Sequence, residues 1–473
     1  MEAASNVSIQ LRPYQESASG AIRASFQAGH NAPLLVSPCG SGKTVLFSYI
    51  SQKAGERGNN TLILVHRQEL LRQASRTLST FDVDHGLIAP GMTFTRQPVQ
   101  VASVQTLVRR MHMLRWKPDL IVVDEAHHAL GKNTWGKVLS NYPDAKILGV
   151  TATPERLSGE GLGAAADGFF DDMVLGPSVK SLISQGYLSP AEIYAPTNID
   201  LSGVHTRAGE YITSELNAAV DKPTITGSAV DHYRRLGNRE PAIAFCCSIA
   251  HAEHVAEQFR QAGYQSSTID GKLDDRSRRQ RITDLSTGTL NVLTSCDIVS
   301  EGFDLPVVSV GIMLRPTQSL GLFIQQTGRA MRPYPGKKRA LILDHTGGIY
   351  RHGMPDDDRE WTLEGKKRNG RKSDPSSLPV RQCEECYYVH RPAPKCPKCG
   401  FVYPVQAREV EEVEGTLEQV DPEEVRRIQK REQAKAKSLD ELKAIAKKRG
   451  YHHKWAEYVY AARQKSGRRS AAA

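Results

Sequence analysis

The residues best suited to chemistry come first in a short loop, Ser37-Pro38-Cys39-Gly40-Ser41-Gly42-Lys43-Thr44. An apolar run at 33–36 precedes it and an apolar-rich stretch at 45–50 follows, which is the order strand, glycine-rich loop, helix. Gly40, Ser41 and Gly42 let backbone N–H groups point at phosphate oxygens, and the helix N-terminus adds the positive end of its dipole. In such a loop Lys43 reaches the β- and γ-phosphates of ATP, and the Thr44 hydroxyl sits on Mg²⁺. The full pattern opens with Gly, where this chain has Ser37. A second constellation, Asp124-Glu125-Ala126-His127, ends the apolar run 120–123. A buried parallel strand reads as such a run, and ligands bind at strand carboxyl ends. Asp124 is expected to hold Mg²⁺ through water, because a hard cation prefers oxygen ligands. Glu125 is expected to orient and deprotonate the attacking water. The adjacent His128 is assigned no task.

A third segment, Gln325-Gln326-Thr327-Gly328-Arg329-Ala330-Met331-Arg332, carries two arginines three apart, on one helix face. A guanidinium stays charged and donates two parallel bonds to phosphate. A finger of this kind contributes on the order of 10³–10⁵ in rate. The simpler alternative is an amphipathic helix with a basic face.

With Thr151-Ala152-Thr153 at the end of the run 146–150, these segments follow one another in a fixed order. Together they resemble the superfamily 2 helicases and translocases, and more narrowly the DEAH-bearing branch of type III restriction subunits, XPB-like proteins and phage-type helicases. The resemblance covers residues 11–333. It implies two RecA-like lobes closing on ATP, with Lys43, Glu125, Arg329 and Arg332 as catalytic groups. By the same resemblance His127 relays between the ATP site and the neighbouring lobe, and Thr151, Thr153 and Gln325 link hydrolysis to grip. Gln15, in Leu11-Arg12-Pro13-Tyr14-Gln15, reads the adenine edge, to which its amide offers donor and acceptor. Gly302 and Asp304, in Ser300-Glu301-Gly302-Phe303-Asp304-Leu305-Pro306, approach the nucleotide from the second lobe. Arg67, Ser103, Gln105, Thr106 and Ser295 are the implied contacts to nucleic-acid backbone. DNA is preferred to RNA on family grounds. The arginine motif begins Gln-Gln-Thr rather than with the His-Arg form of DEAD-box RNA proteins, and too little chain remains for the C-terminal domains of DEAH-type RNA helicases. An RNA helicase, an ATP-switched clamp and the motor subunit of a larger nuclease complex stay open as alternatives.

Cys383-Glu384-Glu385-Cys386 and Cys396-Pro397-Lys398-Cys399-Gly400 are two Cys-x-x-Cys knuckles. Four thiolates so spaced suit tetrahedral Zn²⁺ in a closed, structural site. A redox pair is the alternative, and two pairs this close favour a zinc ribbon. Cys39, Cys246, Cys247 and Cys296 are scattered, so the eight cysteines do not make a secreted disulfide framework.

The elements that must position these groups alternate between apolar runs and helical patterns, as an α/β parallel sheet requires. With 473 residues, the length suggests about three domains. The expected architecture is a first RecA-like lobe over 1–195, a connection over 196–222 and a second lobe over 223–351. A basic linker over 352–380, a zinc ribbon over 381–404, an acidic linker over 405–424 and a basic helical tail over 425–473 complete it. The tail opens with a capping box at Ser438-Leu439-Asp440-Glu441, and Gly450 stops its helix. A second tail helix places Trp455, Tyr458 and Ala462 on one face. The basic run 366–372 is either a solvated tether or a phosphate contact. Net charge is +10 with pI near 9.1, which favours a polyanionic partner. The C-terminal modules leave room for a protein partner. No stretch reaches membrane-spanning length and the N-terminus has no signal pattern, so a cytoplasmic location is expected.

Overall fold

The computed structural model describes residues 10–156, 159–195, 201, 203–207, 209–237, 239–296, 305–365, 379–404, 422–436, 438–452 and 454–470. Gly302 and Asp304, the basic run 366–372 and most of the acidic linker lie outside them. The chain forms two compact units, Met1–Tyr403 and Pro404–Ala473.

In the first unit, seven strands build one sheet: β1 (Pro33–Val36), β2 (Thr61–Val65), β3 (His85–Ile88), β4 (Val99–Ser103), β5 (Leu120–Asp124), β6 (Lys146–Thr151) and β7 (Asp172–Leu175). Their order is β3-β4-β2-β5-β6-β1-β7, and every pairing is parallel. β2 and β5 are buried at every residue, which explains why they read as unbroken apolar runs rather than alternating ones. Leu35, Ile63, Val122 and Leu148 face one layer of helices, while Leu34, Leu62, Ile121 and Val123 face the other. Register sets the site. Val36 lies opposite Thr151, and Asp124 opposite Val150, so the phosphate loop, the carboxylates and the threonines leave the sheet at one edge.

The second sheet contains β8 (Ala191–Tyr194), β11 (Ala242–Cys246), β12 (Ser266–Ile269), β13 (Val292–Cys296), β14 (Val310–Met313) and β15 (Ala340–Asp344), with a short hairpin, β9 (Thr206–Arg207) and β10 (Glu210–Tyr211), standing apart. The order is β12-β13-β11-β14-β15-β8, parallel throughout, and β17 (Tyr388–His390) and β16 (Arg381–Gln382) continue it antiparallel. Two expectations change here. The expected first lobe, 1–195, includes β8, yet β8 pairs with β15, and Leu182, Leu188 and Ile193 belong to the second-lobe core. The knuckle segment was assigned to a separate module, yet Tyr388 and Val389 pair with Tyr194 and Ile193 of β8. A short apolar strand carries no mark of the sheet it will join, so only long-range pairing decides.

Residues 352–365 are likewise more ordered than a linker. Trp361 and Leu363 pack against the first-lobe core, and the Leu363 carbonyl accepts from the Gly163 N–H at 2.9 Å. A Cβ on Gly161 would collide with the Leu363 carbonyl, so glycine there permits the approach. In the expected connection, Leu216 and Val220 of the helix Thr213–Val220 pack on Cys247.

The second unit contains the helices Pro422–Lys435, Leu439–Arg449 and Trp455–Ser470. The Ser438/Glu441 capping box forms, and Gly450 takes φ 65° at the helix end. Its core is Ala436, Leu442, Ile445 and Ala456, flanked by Trp455, Val459 and Tyr460. Tyr458 is exposed, contrary to the expected face. Residues 455, 456, 459 and 460 form the stripe instead, at i, i+4 spacing.

Candidate ATP cleft and metal cluster

Gly42 turns the phosphate loop with φ 76° and hands over to the helix Lys43–Gly55, with Thr44 as its second residue. Gly40 also has positive φ, a conformation that only glycine adopts at little cost. The Lys43 Nζ donates to the Ser37 and Pro38 carbonyls at 3.1 and 3.3 Å, which stations the charge over the loop. Ser37, the departure from the glycine pattern, bonds the Ser41 hydroxyl at 2.8 Å. Gln15 is buried and braces the same loop: its Nε2 donates to the Ser41 and Gly42 carbonyls at 3.2 Å each, and its Oε1 accepts from the Arg12 N–H.

Asp124 and Glu125 are nearly buried at the end of β5. Glu125 has φ 50°, a left-handed conformation that aims its side chain out of the strand line. The Glu125 Oε2 lies 3.5 Å from the His127 Nδ1 without a hydrogen bond. The same Nδ1 lies 3.0 Å from the Thr151 hydroxyl, and Thr151 in turn donates to the Thr153 carbonyl. His127 thus spans β5 and β6 beside the carboxylates. His128 packs its ring on His66 and His127.

The helix Leu320–Ala330 of the second lobe closes the cleft. A Cβ on Gly328 would stand 2.8 Å from the Cys39 Cβ, and one on Gly40 would stand 3.6 Å from the Arg332 Cγ. A Cβ on Gly321 would stand 2.9 Å from the Thr153 hydroxyl. The arginine helix therefore lies directly on the phosphate loop and the threonine turn. Gln325 and Arg329 are largely buried in it.

Two supports of the cleft have no local signal in the sequence. Lys337 donates to the Val308 and Arg332 carbonyls at 2.6 and 2.7 Å and to the Ala330 carbonyl, capping the arginine helix. Burial, and then the Arg332 charge, pull its pKa down to about 8. A lysine seven residues past Ala330 is the only clue the sequence offered. Tyr187 packs edge-on to Tyr14 at 5.2 Å and lies 4.4 Å under the Arg12 guanidinium, beside the Gln15 segment.

Of the implied nucleic-acid contacts, Arg67, Ser103 and Gln105 come together at the carboxyl ends of β2 and β4. Ser103 donates to Gln105 at 2.9 Å, Gln105 to the His66 carbonyl at 3.1 Å, and the Arg67 Nε to the His66 ring at 3.4 Å. Thr106 is largely buried in the helix Val104–Arg110, and Ser295 is buried near the end of β13 in the other sheet.

The four knuckle cysteines converge, with all sulfurs within 4.8 Å of one another. The Sγ atoms of Cys383 and Cys399 are 3.5 Å apart, and those of Cys386 and Cys396 are 3.8 Å apart. A tetrahedron with Zn–S bonds of about 2.3 Å has edges of about 3.8 Å. The short pairs join the two knuckles, whereas a Cys-x-x-Cys redox site would pair within one. Each knuckle closes alike: the Tyr387 N–H bonds the Cys383 carbonyl and the Gly400 N–H bonds the Cys396 carbonyl, both at 2.9 Å and both with positive φ. The donor set fits Zn²⁺.

The comparisons with known proteins agree with this geometry. Residues 8–156 match the family "Type III restriction enzyme, res subunit", and residues 228–334 match "Helicase conserved C-terminal domain". A "51.5 kDa protein" of a Lactococcus phage is 34% identical over 83% of each chain. The Saccharomyces cerevisiae protein named "Putative ATP-dependent helicase IRC3" is 28% identical over 71% of this chain, which spans 51% of that relative. Among solved structures, the type ISP restriction-modification enzyme LlaBIII bound to DNA shares the fold with a TM-score of 0.53, at 18% identity over 71% of this chain and 28% of that one. No helix among the described residues is long and apolar enough to cross a membrane. With two parallel-sheet lobes, the family matches and a phage relative 34% identical over 83% of each chain, the chain belongs to the type III restriction branch of the superfamily 2 helicases and is an ATP-hydrolysing enzyme that acts on nucleic acid.

Proposed function

We propose that the protein is a DNA translocase or helicase whose lobes open and close along the backbone with each ATP. The observation that carries this reading is the arginine helix of one lobe seated on the phosphate loop of the other, with Gly328 against Cys39 and Arg332 against Gly40. ATP binds at the loop, where Gly40, Ser41 and Gly42 present N–H groups and Lys43 takes the β- and γ-phosphates. Gln15 keeps an Oε1 lone pair for the adenine edge. Asp124 and Thr44 would hold Mg²⁺, which would supply positive charge to the phosphate oxygens. Glu125 takes the proton of the attacking water, and Arg329 and Arg332 stabilise the charge that develops on the transferred phosphoryl group. His127, Thr151, Thr153 and Gln325 carry the change from this site to the nucleic-acid side. Gly302 and Asp304, outside the described residues, are assigned to the nucleotide by the family resemblance alone. Arg67, Ser103 and Gln105 are the first contacts to the backbone in this reading, and the buried Thr106 and Ser295 reach it only if the lobes rearrange on binding. Cys383, Cys386, Cys396 and Cys399 would hold Zn²⁺, which would fix the ribbon.

A nucleic-acid partner is supported by the net charge of +10, and the preference for DNA by the DNA bound to the LlaBIII enzyme. ATPase rates in excess single-stranded DNA, duplex, forked DNA and RNA test it, with Lys43→Ala as the inactive control. DNA should stimulate turnover most. Stronger stimulation by RNA would overturn the substrate. Stimulation by DNA without displacement in a single-molecule tracking assay would leave an ATP-switched clamp.

A further inference from the structure

The lobes also meet through two ion pairs away from the arginine helix. The helix Gln68–Thr80 begins directly after Arg67 at the carboxyl end of β2. The helix Asp275–Ser286 follows the carboxyl end of β12 in the other lobe. The Arg278 Nη1 lies 2.8 Å from the Glu69 Oε1, and the Arg72 guanidinium bonds the Asp275 carboxylate. Each helix offers an acid and an arginine three residues apart. The two pairs therefore match in one antiparallel register only, and a slip would set like charges together.

The second-lobe half of this contact is held firmly. The Arg278 side chain is 12% exposed, and its Nη2 donates to the Leu273 carbonyl at 2.9 Å. The Asp274 carboxylate caps the helix by accepting from the Arg276 and Ser277 N–H groups. In the first lobe, Leu70, Leu71, Ala74 and Leu78 bury the opposite face of the helix Gln68–Thr80. Pulling on Glu69 or Arg72 therefore moves Arg67 with it. β2 sits on the far side of β5 and β6 from β1, so the contact is separate from the ATP cleft in the sheet order.

We propose that the Glu69–Arg278 and Arg72–Asp275 pairs form an inter-lobe latch that positions Arg67 for the nucleic-acid backbone when the lobes close. The latch rests on the nucleic-acid motor reading above. Its four residues are positioning residues. Lobe opening separates the pairs and releases Arg67, so grip follows the ATP state without any direct link to the phosphates.

Charge exchange tests it in the full chain. Arg72 and Asp275 are 42% and 44% exposed, so substitution there leaves both cores untouched. ATPase is measured against a single-stranded oligonucleotide with Arg72→Asp, with Asp275→Arg and with both together. Each single reversal sets like charges face to face and should raise the half-stimulating oligonucleotide concentration about tenfold. The KM for ATP without oligonucleotide should not change. The double variant should recover to within about threefold, because the pair is re-formed in reverse and exposed pairs contribute little. Unaltered single variants, or a double variant as impaired as the worse single, would overturn the latch. A second measurement does not need nucleic acid. In Arg72→Cys with Asp275→Cys, a short bismaleimide should cross-link the two positions, mapped by mass spectrometry, in higher yield with a non-hydrolysable ATP analogue. Equal yield with and without the analogue would overturn the latch by itself. Absent stimulation of the wild-type protein by any nucleic acid, together with nucleotide-dependent cross-linking, would overturn the motor reading and with it the role of Arg67, and would leave only the nucleotide-dependent inter-lobe contact.

Discussion

Gly328→Ala should disable hydrolysis without touching a single chemical group. The added Cβ would stand 2.8 Å from the Cys39 Cβ and 3.7 Å from its Sγ. Carbon atoms settle at about 3.5–4.0 Å, so the contact needs about 1 Å of relief. The Cys39 Cβ is fixed to the loop backbone and cannot swing aside as a long side chain would. The helix Leu320–Ala330 must therefore lift from the phosphate loop by a similar distance, taking Arg329 and Arg332 with it. A misplacement of about 1 Å costs on the order of 10²-fold in rate. The expectation is a kcat for ATP lowered about a hundredfold, with KM changed much less, since the loop that binds phosphate is intact. Helix stability pulls the other way. Alanine in place of glycine favours a helix interior by about 0.5–1 kcal/mol, so the melting temperature should hold or rise. Steady-state ATPase with saturating nucleic acid, a nucleotide-binding titration and a thermal melt together read all three. Adding Cys39→Gly removes the opposing Cβ and should restore much of the rate. A well-folded Gly328→Ala protein with wild-type kcat would refute the closed cleft as the reacting state.

Glu125→Gln should bind ATP but turn over slowly, because an amide cannot accept the water's proton; lost binding with a normal saturated rate would contradict the general-base role. Arg329→Ala and Arg332→Ala should each lower kcat more than nucleotide affinity, since the contact matures in the closed transition state; titration and steady-state rates separate the two. Cys396→Ser should lose one zinc by elemental analysis, while ATP binding persists. Because β17 covers the β8 edge, this variant should also open β8 to amide hydrogen exchange. Protection of Ile193 and Tyr194 that is unchanged by zinc loss would show that the ribbon strand holds without metal.

The local parts of the cleft were legible along the chain because their chemistry is local. A phosphate loop needs its glycines, lysine and threonine within eight consecutive residues, and Asp124 and Glu125 need only the end of a buried strand. The knuckle spacing was legible for the same reason: ligands three residues apart can share one ion. Pairing across long separations was not legible. Nothing in Ala191–Tyr194 says that it joins β15 rather than β7, or that Tyr388 and Val389 will extend its edge. Trp361 and Leu363 read as part of a linker until the first-lobe core received them. Tyr458 gave way to Val459 and Tyr460 because helix phase is set by the partner surface. Lys337 at the arginine helix and the pairing of Glu69 with Arg278 depend on where side chains end in space. Residue type and spacing determined which groups are present for the chemistry. Only the tertiary structure decided which of them meet, because contacts between distant residues are set by the packing of whole elements.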